Sequence, residues 1–372
     1  MSHSARILPF PPRTDARWLS PSEAEVAARE FLAIPVLERT EDDRQHFLTS
    51  PDILMAMCAL LRERRDLTPA AVELDATDTY RWISRPNFDL GLFDERDYFL
   101  GETALLAGAA CRQLGKREEA FLWLDRAEAG FRHTMNPAPG LSNVAYARLA
   151  IRFEMGRYQD VLELTPSLEA SFGKLRMLVE ATKCRLLLAM TLKQTGENLQ
   201  AIEVLEDARS KAGLEADPFL HARMLAELGD LFQLEGQFDR ALKAFQEALS
   251  VLPDNETSLA SADLKLYVGG VYSALGSLGD ACKAYREAQS EYATLGMRHL
   301  VAYSHLVISE SLLAMNRERE AEWEVLAALP IIEELQMVPE GFAAVALLKE
   351  SISRRKTDRS ALEQLRTRLQ SI

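Results

Sequence analysis

The sequence predicts an all-α solenoid, a row of stacked helical hairpins with no sheet. Three observations predict it. A small residue recurs at Ala201, Ala241, Ala281, Ala321 and Ala361, 40 residues apart each time. A turn residue keeps phase with it at Gly115, Gly156, Gly196, Gly236 and Gly276, and then at Asn316. Between these marks apolar residues stand three, four and seven apart, the spacing that places side chains on one face of a helix. A fixed period of this length means repeated units, each of which buries its apolar face only against its neighbours.

The clearest unit runs from Ala222 to Pro253. Leu225, Leu228, Gly229 and Phe232 share one face of its first helix. Gly236 ends that helix, because glycine takes the left-handed cap conformation without steric cost. The second helix carries Ala241, Leu242, Phe245, Ala248 and Leu249, and Pro253 closes it. Gly229, Ala241 and Ala248 are small where two helices approach closely; Phe232 and Phe245 are large where the gap between them is filled. Leu225, Leu228-Gly229, Phe232, Ala241-x3-Phe245 and Pro253 together resemble the tetratricopeptide repeat (TPR), with Leu in the place that is usually Trp. The 40-residue length resembles the long repeats of bacterial regulatory TPR proteins. The resemblance implies a right-handed solenoid of TPR-like hairpins, with about seven repeats over residues 94–372.

Taken in order, residues 1–19 are expected to be a flexible tail, with Pro9, Pro11 and Pro12 favouring extended backbone. Residues 20–93 form an N-terminal helical segment. Ser20-Pro21-Ser22-Glu23 opens its first helix with a capping residue, a proline in the first turn and an acid. Further helices are expected over Glu41–Leu48, from Pro51, and over Pro69–Ile83; the last two make a divergent hairpin out of phase with the 40-residue period. Residues 85–93 read as a linker into the regular array. Asn136 to Gly140 reads as a rigid loop. Pro166 is expected to kink or end the second helix of the second repeat. The seventh repeat, about 340–370, has a polar second helix suited to capping the array. Trp123 and Trp323 are expected to be partly buried, and Trp18 and Trp82 to pack against the array.

With a formal net charge of −13 and a pI near 5.1, the chain lacks the basic balance that phosphate neutralisation requires, which argues against a nucleic-acid partner. No apolar run reaches the length of a membrane helix or a signal peptide, so a membrane partner is not expected and a cytoplasmic location is. Cys58, Cys111, Cys184 and Cys282 form no CxxC pair and read as buried thiols.

No catalytic motif appears. Gly108…Gly115-Lys116 has the wrong spacing for a phosphate loop, and no Ser or Thr follows Lys116. Gly269-Gly270 lacks the strand that precedes a dinucleotide turn. His299 and His305 are six apart and do not share a helical face. Neither a cofactor nor a metal is expected, and the chain is expected not to be an enzyme.

In TPR proteins the first helices line a concave groove where partners lie. The resemblance places Arg112, Asn143, Tyr146, Lys183, Leu187, Met190 and Lys193 on it, followed by Arg223, Glu227, Asp230, Asp263, Tyr267, Tyr303 and Glu310. The first part of this series is basic and the last part acidic. Leu105, Ala109, Leu186 and Met190 stand where carboxylate-gripping TPR proteins have Lys and Asn, which argues against a partner held by its C-terminal carboxylate. The expected function is a non-catalytic scaffold or adaptor that binds a protein or peptide segment. The alternative is a ligand- or peptide-sensing regulator of a bacterial signalling or transcription pathway.

Overall fold

The computed structural model describes residues 19–64, 68–88, 95–210, 217–253 and 258–355. These residues form helices and short connections with no strand among them. The chain divides into two compact units, one up to Met177 and one from Leu178 onward.

The first unit opens with α1 (Pro21–Ala33). Ser20 accepts the Glu23 amide while the Glu23 carboxylate accepts the Ser20 amide, a complete capping box. A single 3-10 turn (Val36–Glu38) leads to α2 (Glu41–Phe47), capped the same way by Thr40 and Asp43. Then follow α3 (Pro51–Arg64), α4 (Pro69–Ile83), α5 (Glu95–Gln113), α6 (Arg117–Arg132), α7 (Pro137–Glu154) and α8 (Tyr158–Lys174). Helix α1 packs on α3, and α3 and α4 pack on α5. Their shared core includes Phe31, Leu54, Met57, Leu61, Ile83 and Phe99. A second core joins α5, α6 and α7 around Leu124, Phe131 and Ile151.

Polar contacts fix the irregular part of this unit. Arg39 is buried. Its guanidinium donates to Asp75 at 2.5 Å, to Asp78 at 3.2 Å and to the Ile34 carbonyl at 3.0 Å. It also lies 4.3 Å from the centre of the Phe31 ring. Arg44 reaches the same Asp78 at 2.8 Å. These contacts tie the connection between α1 and α2 to α4.

One expectation is corrected here, and one of the two outcomes expected at Pro166 is excluded. Residues 137–140 are the first turn of α7, not a loop. The amides of that turn need no helical acceptor, so Pro137 and Pro139 fit there, and Gly140 lies under the Phe131 ring, where a Cβ would collide. Nor does Pro166 end α8, which runs on to Lys174. Buried Leu168 and Phe172 anchor the part beyond the proline. Helix α16 passes through Pro330 in the same way.

The second unit holds α9 (Leu178–Gln194), α10 (Asn198–Ser210), α11 (Pro218–Leu234), α12 (Phe238–Val251), α13 (Leu259–Ala274), α14 (Leu278–Thr294), α15 (Arg298–Ala314), α16 (Glu318–Glu334) and α17 (Val338–Arg355). Nearly every turn repeats one device. A residue in the left-handed region follows the helix: Gly196 (φ 85°), Gly236 (71°), Gly276 (77°), Gly296 (72°), Asn316 (56°) and Gln336 (54°). The next amide then closes a six-residue ring onto the helix, as in Gln237 to the Phe232 carbonyl (2.8 Å) and Met297 to that of Tyr292 (2.9 Å). Gly196, Gly236, Gly276 and Asn316 end the first helices, as their phase predicts. Gly296 and Gln336 end second helices by the same geometry, so in the later hairpins the structural period is half the sequence period.

Within each hairpin the helices lock by size. Phe245 lies over Gly229, where a Cβ would stand 2.5 Å from its ring, and Tyr285 lies over Gly269 in the same register. One repeat earlier the same two positions hold Ala189 and Leu205, both buried. Where the second helix carries an aromatic ring, the first helix gives up its side chain.

All four cysteines are buried and free. Trp82 is buried and Trp123 is half-buried against Tyr80, 5.2 Å between ring centres. Trp323 departs from expectation: it is 75% exposed on α16. It lies two residues from buried Ala321, on a helix whose inward stripe is already filled by Ala321, Val325, Ala328 and Ile332. The tail up to Trp18, most of the linker (89–93) and the second half of the seventh repeat (356–372) lie outside the described residues.

Candidate partner-binding face

The residues named for the groove fall in both units. In the first, Arg112 ends α5 and is ion-paired with Glu154 of α7. Asn143 and Tyr146 sit on α7, both half-buried.

In the second unit the first helices of successive hairpins supply the rest. Lys183, Leu187, Met190 and Lys193 belong to α9, and Arg223, Glu227 and Asp230 to α11. Asp263 and Tyr267 belong to α13, and Tyr303 and Glu310 to α15. A 40-residue step carries Lys183 to Arg223, Asp263 and Tyr303, so these four share one register along the row. Leu187 is a correction: at 6% exposure it belongs to the interior and offers nothing to a partner.

The structure gathers part of this set into one cluster. Lys193 Nζ stands 2.5 Å from Glu227 Oε2 and 2.8 Å from Asp230 Oδ2. Burial works against the ammonium, but its bonds to Asp230 and Glu227 outweigh burial and hold the lysine pKa above its ordinary value. Tyr267 lies close by. Burial, and then the carboxylates of Asp263, Asp230 and Glu227, push its phenol upward. Its ring packs on Phe245, 5.5 Å between centres, and 46% of the residue stays exposed. Asp263 accepts the Tyr292 hydroxyl at 2.6 Å, and burial raises its carboxyl.

This geometry changes the electrostatics expected from the sequence. The cations of Arg112 and Lys193 are committed to internal pairs. Arg223 is exposed, with Nη2 3.9 Å from Met190 Sδ. Further along, Tyr303 is 45% exposed and Glu310 is exposed. Burial and then nearby Glu350 push the Glu310 carboxyl upward. Beyond the exposed Arg223 of α11, the named residues of α13 and α15, Asp263, Tyr267, Tyr303 and Glu310, are acidic and aromatic.

One residue of this face is not marked as such by the sequence. Tyr285 of α14 has the place of a core residue, and its ring is buried. The signal available is the pair Gly269-Gly270: the first glycine admits the ring, and the second leaves open the space beside its hydroxyl.

Among the described residues no group of three or more His, Cys, Asp or Glu is arranged to hold a metal ion, and no helix is long and apolar enough to cross a membrane. Among the described residues the face presents hydrogen-bonding groups, carboxylates and aromatic rings.

Comparison with known proteins fits this architecture. Residues 222–255 match the tetratricopeptide repeat family model. No curated protein matches the chain in sequence. Among solved structures, the chain is similar to the STAND signal-transduction ATPase with a tetratricopeptide repeat sensor, PH0952, from Pyrococcus horikoshii (TM-score 0.60, 13% identity, 95% of this chain and 53% of that one). It is also similar to the apo quorum sensor NprR from B. thuringiensis (TM-score 0.54, 13% identity, 89% and 99%). A third is the APC/C hetero-tetramer Cut9-Hcn1 (TM-score 0.51, 16% identity, 89% and 59%). The chain thus spans little more than half the length of the first and third of these. At these identities the likeness concerns the fold. Residues 222–255 are a tetratricopeptide repeat, and the fold is that of a TPR-type helical solenoid.

Proposed function

We propose that this protein is a non-catalytic binding module that holds a segment of another protein on the first-helix face of residues 178–355. The observation that carries this reading is the row of half-exposed tyrosines and carboxylates contributed by α11, α13 and α15 in matching register. Tyrosine gives large contact area at small entropic cost, and charges around it set orientation and encounter rate. The acidic balance of the chain supports a protein partner over a nucleic acid, and a cytoplasmic location goes with that. A second reading, a peptide-sensing regulator, draws support from the likeness to NprR, which extends over 99% of that quorum sensor.

The test is site-specific photo-crosslinking in the native cell. A photoreactive phenylalanine replaces Tyr267 or Tyr303 on the face, or Trp323 on α16. Covalent adducts from the first two positions and none from Trp323 are expected. Adducts from Trp323 alone would move the binding surface to the second helices. A sensor is distinguished from an adaptor by the size of the captured species, a short peptide or a folded protein.

A further inference from the structure

Comparison of equivalent positions along the second unit singles out one carboxylate. Lys193 of α9 meets Glu227 and Asp230 of α11. Two repeats later the same positions hold Ser273, Val307 and Glu310. Glu310 therefore keeps the place of Asp230, while the place of the lysine is taken by a serine. Its carboxylate has no hydrogen bond or ion pair among the described residues. Glu350 lies near enough to push the Glu310 carboxyl upward, and its own partner is Arg354, at 2.7 Å, whose guanidinium also donates to the Leu313 carbonyl at 2.7 Å.

A second, independent feature opens at the same spot. Tyr285 is only 6% exposed, its ring locked over Gly269. Its hydroxyl comes out beside Gly270, where an added Cβ would stand 3.9 Å from the oxygen. That hydroxyl has no hydrogen-bond partner among the described residues. Burial, and then the proximity of Tyr303 and Glu310, push the phenol up to about 12, so the hydroxyl stays neutral, with a proton to donate and lone pairs to accept. A buried tyrosine with an unpaired hydroxyl, near an unpaired carboxylate and a half-exposed ring, is a polar site without its complement.

We infer that Tyr285, Tyr303 and Glu310 form a receptor for one cationic side chain, a guanidinium or ammonium, on the segment bound by this face; this rests on the binding function proposed above. The cation donates to the Glu310 carboxylate and to the Tyr285 oxygen, and the Tyr303 ring offers it an electron-rich face. An anionic group meets Glu310 and Glu350 and is repelled. An apolar group would strip water from Glu310 and Tyr285 and return no hydrogen bond. Lys193 between Glu227 and Asp230 shows the same surface already holding an ammonium supplied by the chain itself.

The test uses the full chain labelled with 13C in its tyrosine rings. Titration with N-acetyl-arginine amide is followed by NMR, with Tyr285→Phe and Tyr303→Phe assigning the signals. The control probe is N-acetyl-citrulline amide, which has the same shape without the charge. Saturable shifts at Tyr285 and Tyr303 with the arginine probe, at least fivefold weaker with citrulline and in Glu310→Gln, are expected. Equal responses to the two probes, no saturable response, or an unchanged response in Glu310→Gln would overturn the site. If the site fails while crosslinks still form at Tyr267, the binding face stands without it. If crosslinks form only at Trp323, the face itself falls, and the cation site with it as part of that face.

Discussion

The two compact units are built from the same element, an antiparallel helix pair, but are held together differently. In residues 178–355 the decisive contacts are apolar and local: a ring over a glycine within one hairpin, and turns that close by one repeated backbone geometry. The early helices of residues 19–177 share an apolar core without that repeat, and deeply buried polar contacts add to it. Arg39 reaches Asp75 and Asp78 across 36 and 39 residues, and Arg62 reaches Glu102 across 40. Periodic packing lets each repeat specify its neighbour, so a single motif is enough to build the row. An irregular helix cluster has no such rule, and individual contacts, the buried Arg39 pairs among them, have to specify its arrangement.

The largest effect that would separate the two modes comes from removing Arg39. Its side chain is 1% exposed and that of Asp75 is 11% exposed. Arg39→Met strands Asp75 in the interior, and breaking a buried pair by removing one partner costs roughly 3–5 kcal/mol. The Lys193 pair is more open, with side-chain exposures of 17%, 19% and 48% across its three members. Lys193→Met is expected to cost about 1 kcal/mol, in line with partly exposed pairs. Segment-resolved hydrogen exchange measures both, and does so without assuming that the chain melts in one step. Arg39→Met should speed exchange in α1 to α4 and leave α11 to α16 unchanged. Equal costs for the two substitutions would mean that ion pairs matter alike in both units.

The next effect tests the apolar lock. Gly229→Leu places a branched side chain against Phe245 and should cost about 3 kcal/mol, at the upper end for overpacking. The sharper experiment is a double-mutant cycle. Gly229→Ala alone drives a Cβ to 2.5 Å from the Phe245 ring and is destabilising. Gly229→Ala with Phe245→Leu recreates the Ala189 and Leu205 pair of the preceding repeat and should recover much of the loss. Thermal melts of the two single variants and the double variant decide it. Additive losses would show that size matching across the hairpin is not what couples these positions.

These contacts also show which parts of the molecule were legible in the sequence. The hairpins of the second unit could be read because helical spacing and turn chemistry repeat with the period. The left-handed caps at Arg176 and Gln336 could not, because neither residue is a usual choice for that conformation. Arg39 gave no signal, since its partners are set by tertiary packing and not by spacing. The continuation of α8 through Pro166 was hidden for a related reason: proline removes a donor, but burial of Leu168 and Phe172 decides whether the helix goes on. On the proposed binding face the sequence showed the register of Asp263, Tyr267 and Tyr303. It did not show that Lys193 is consumed by Glu227 and Asp230, nor that Tyr285 opens beside Gly270. Both depend on which neighbour a side chain meets across the hairpin row.

The smallest expected effect concerns the turns themselves. A non-glycine residue in the left-handed region costs about 1–2 kcal/mol. Replacing it with glycine relieves that cost but adds freedom to the unfolded chain worth about 0.4–1 kcal/mol. For Gln336 (φ 54°) and Arg176 (φ 58°) the balance favours glycine, and each substitution should stabilise its turn by roughly 0.5–1 kcal/mol. Asn316 (φ 56°) has the same backbone, but asparagine tolerates this conformation through its short polar side chain. Asn316→Gly should therefore be close to neutral. The converse change, Gly236→Ala at φ 71°, should destabilise by about 1 kcal/mol. Local exchange rates at the closing amides, Met177, Gln237, Arg317 and Met337, report each turn separately. If Asn316→Gly stabilises as much as Gln336→Gly, the gain comes from something other than relief of left-handed strain. The uniform closing geometry would then follow from helix packing, and the turn residues would not be its cause.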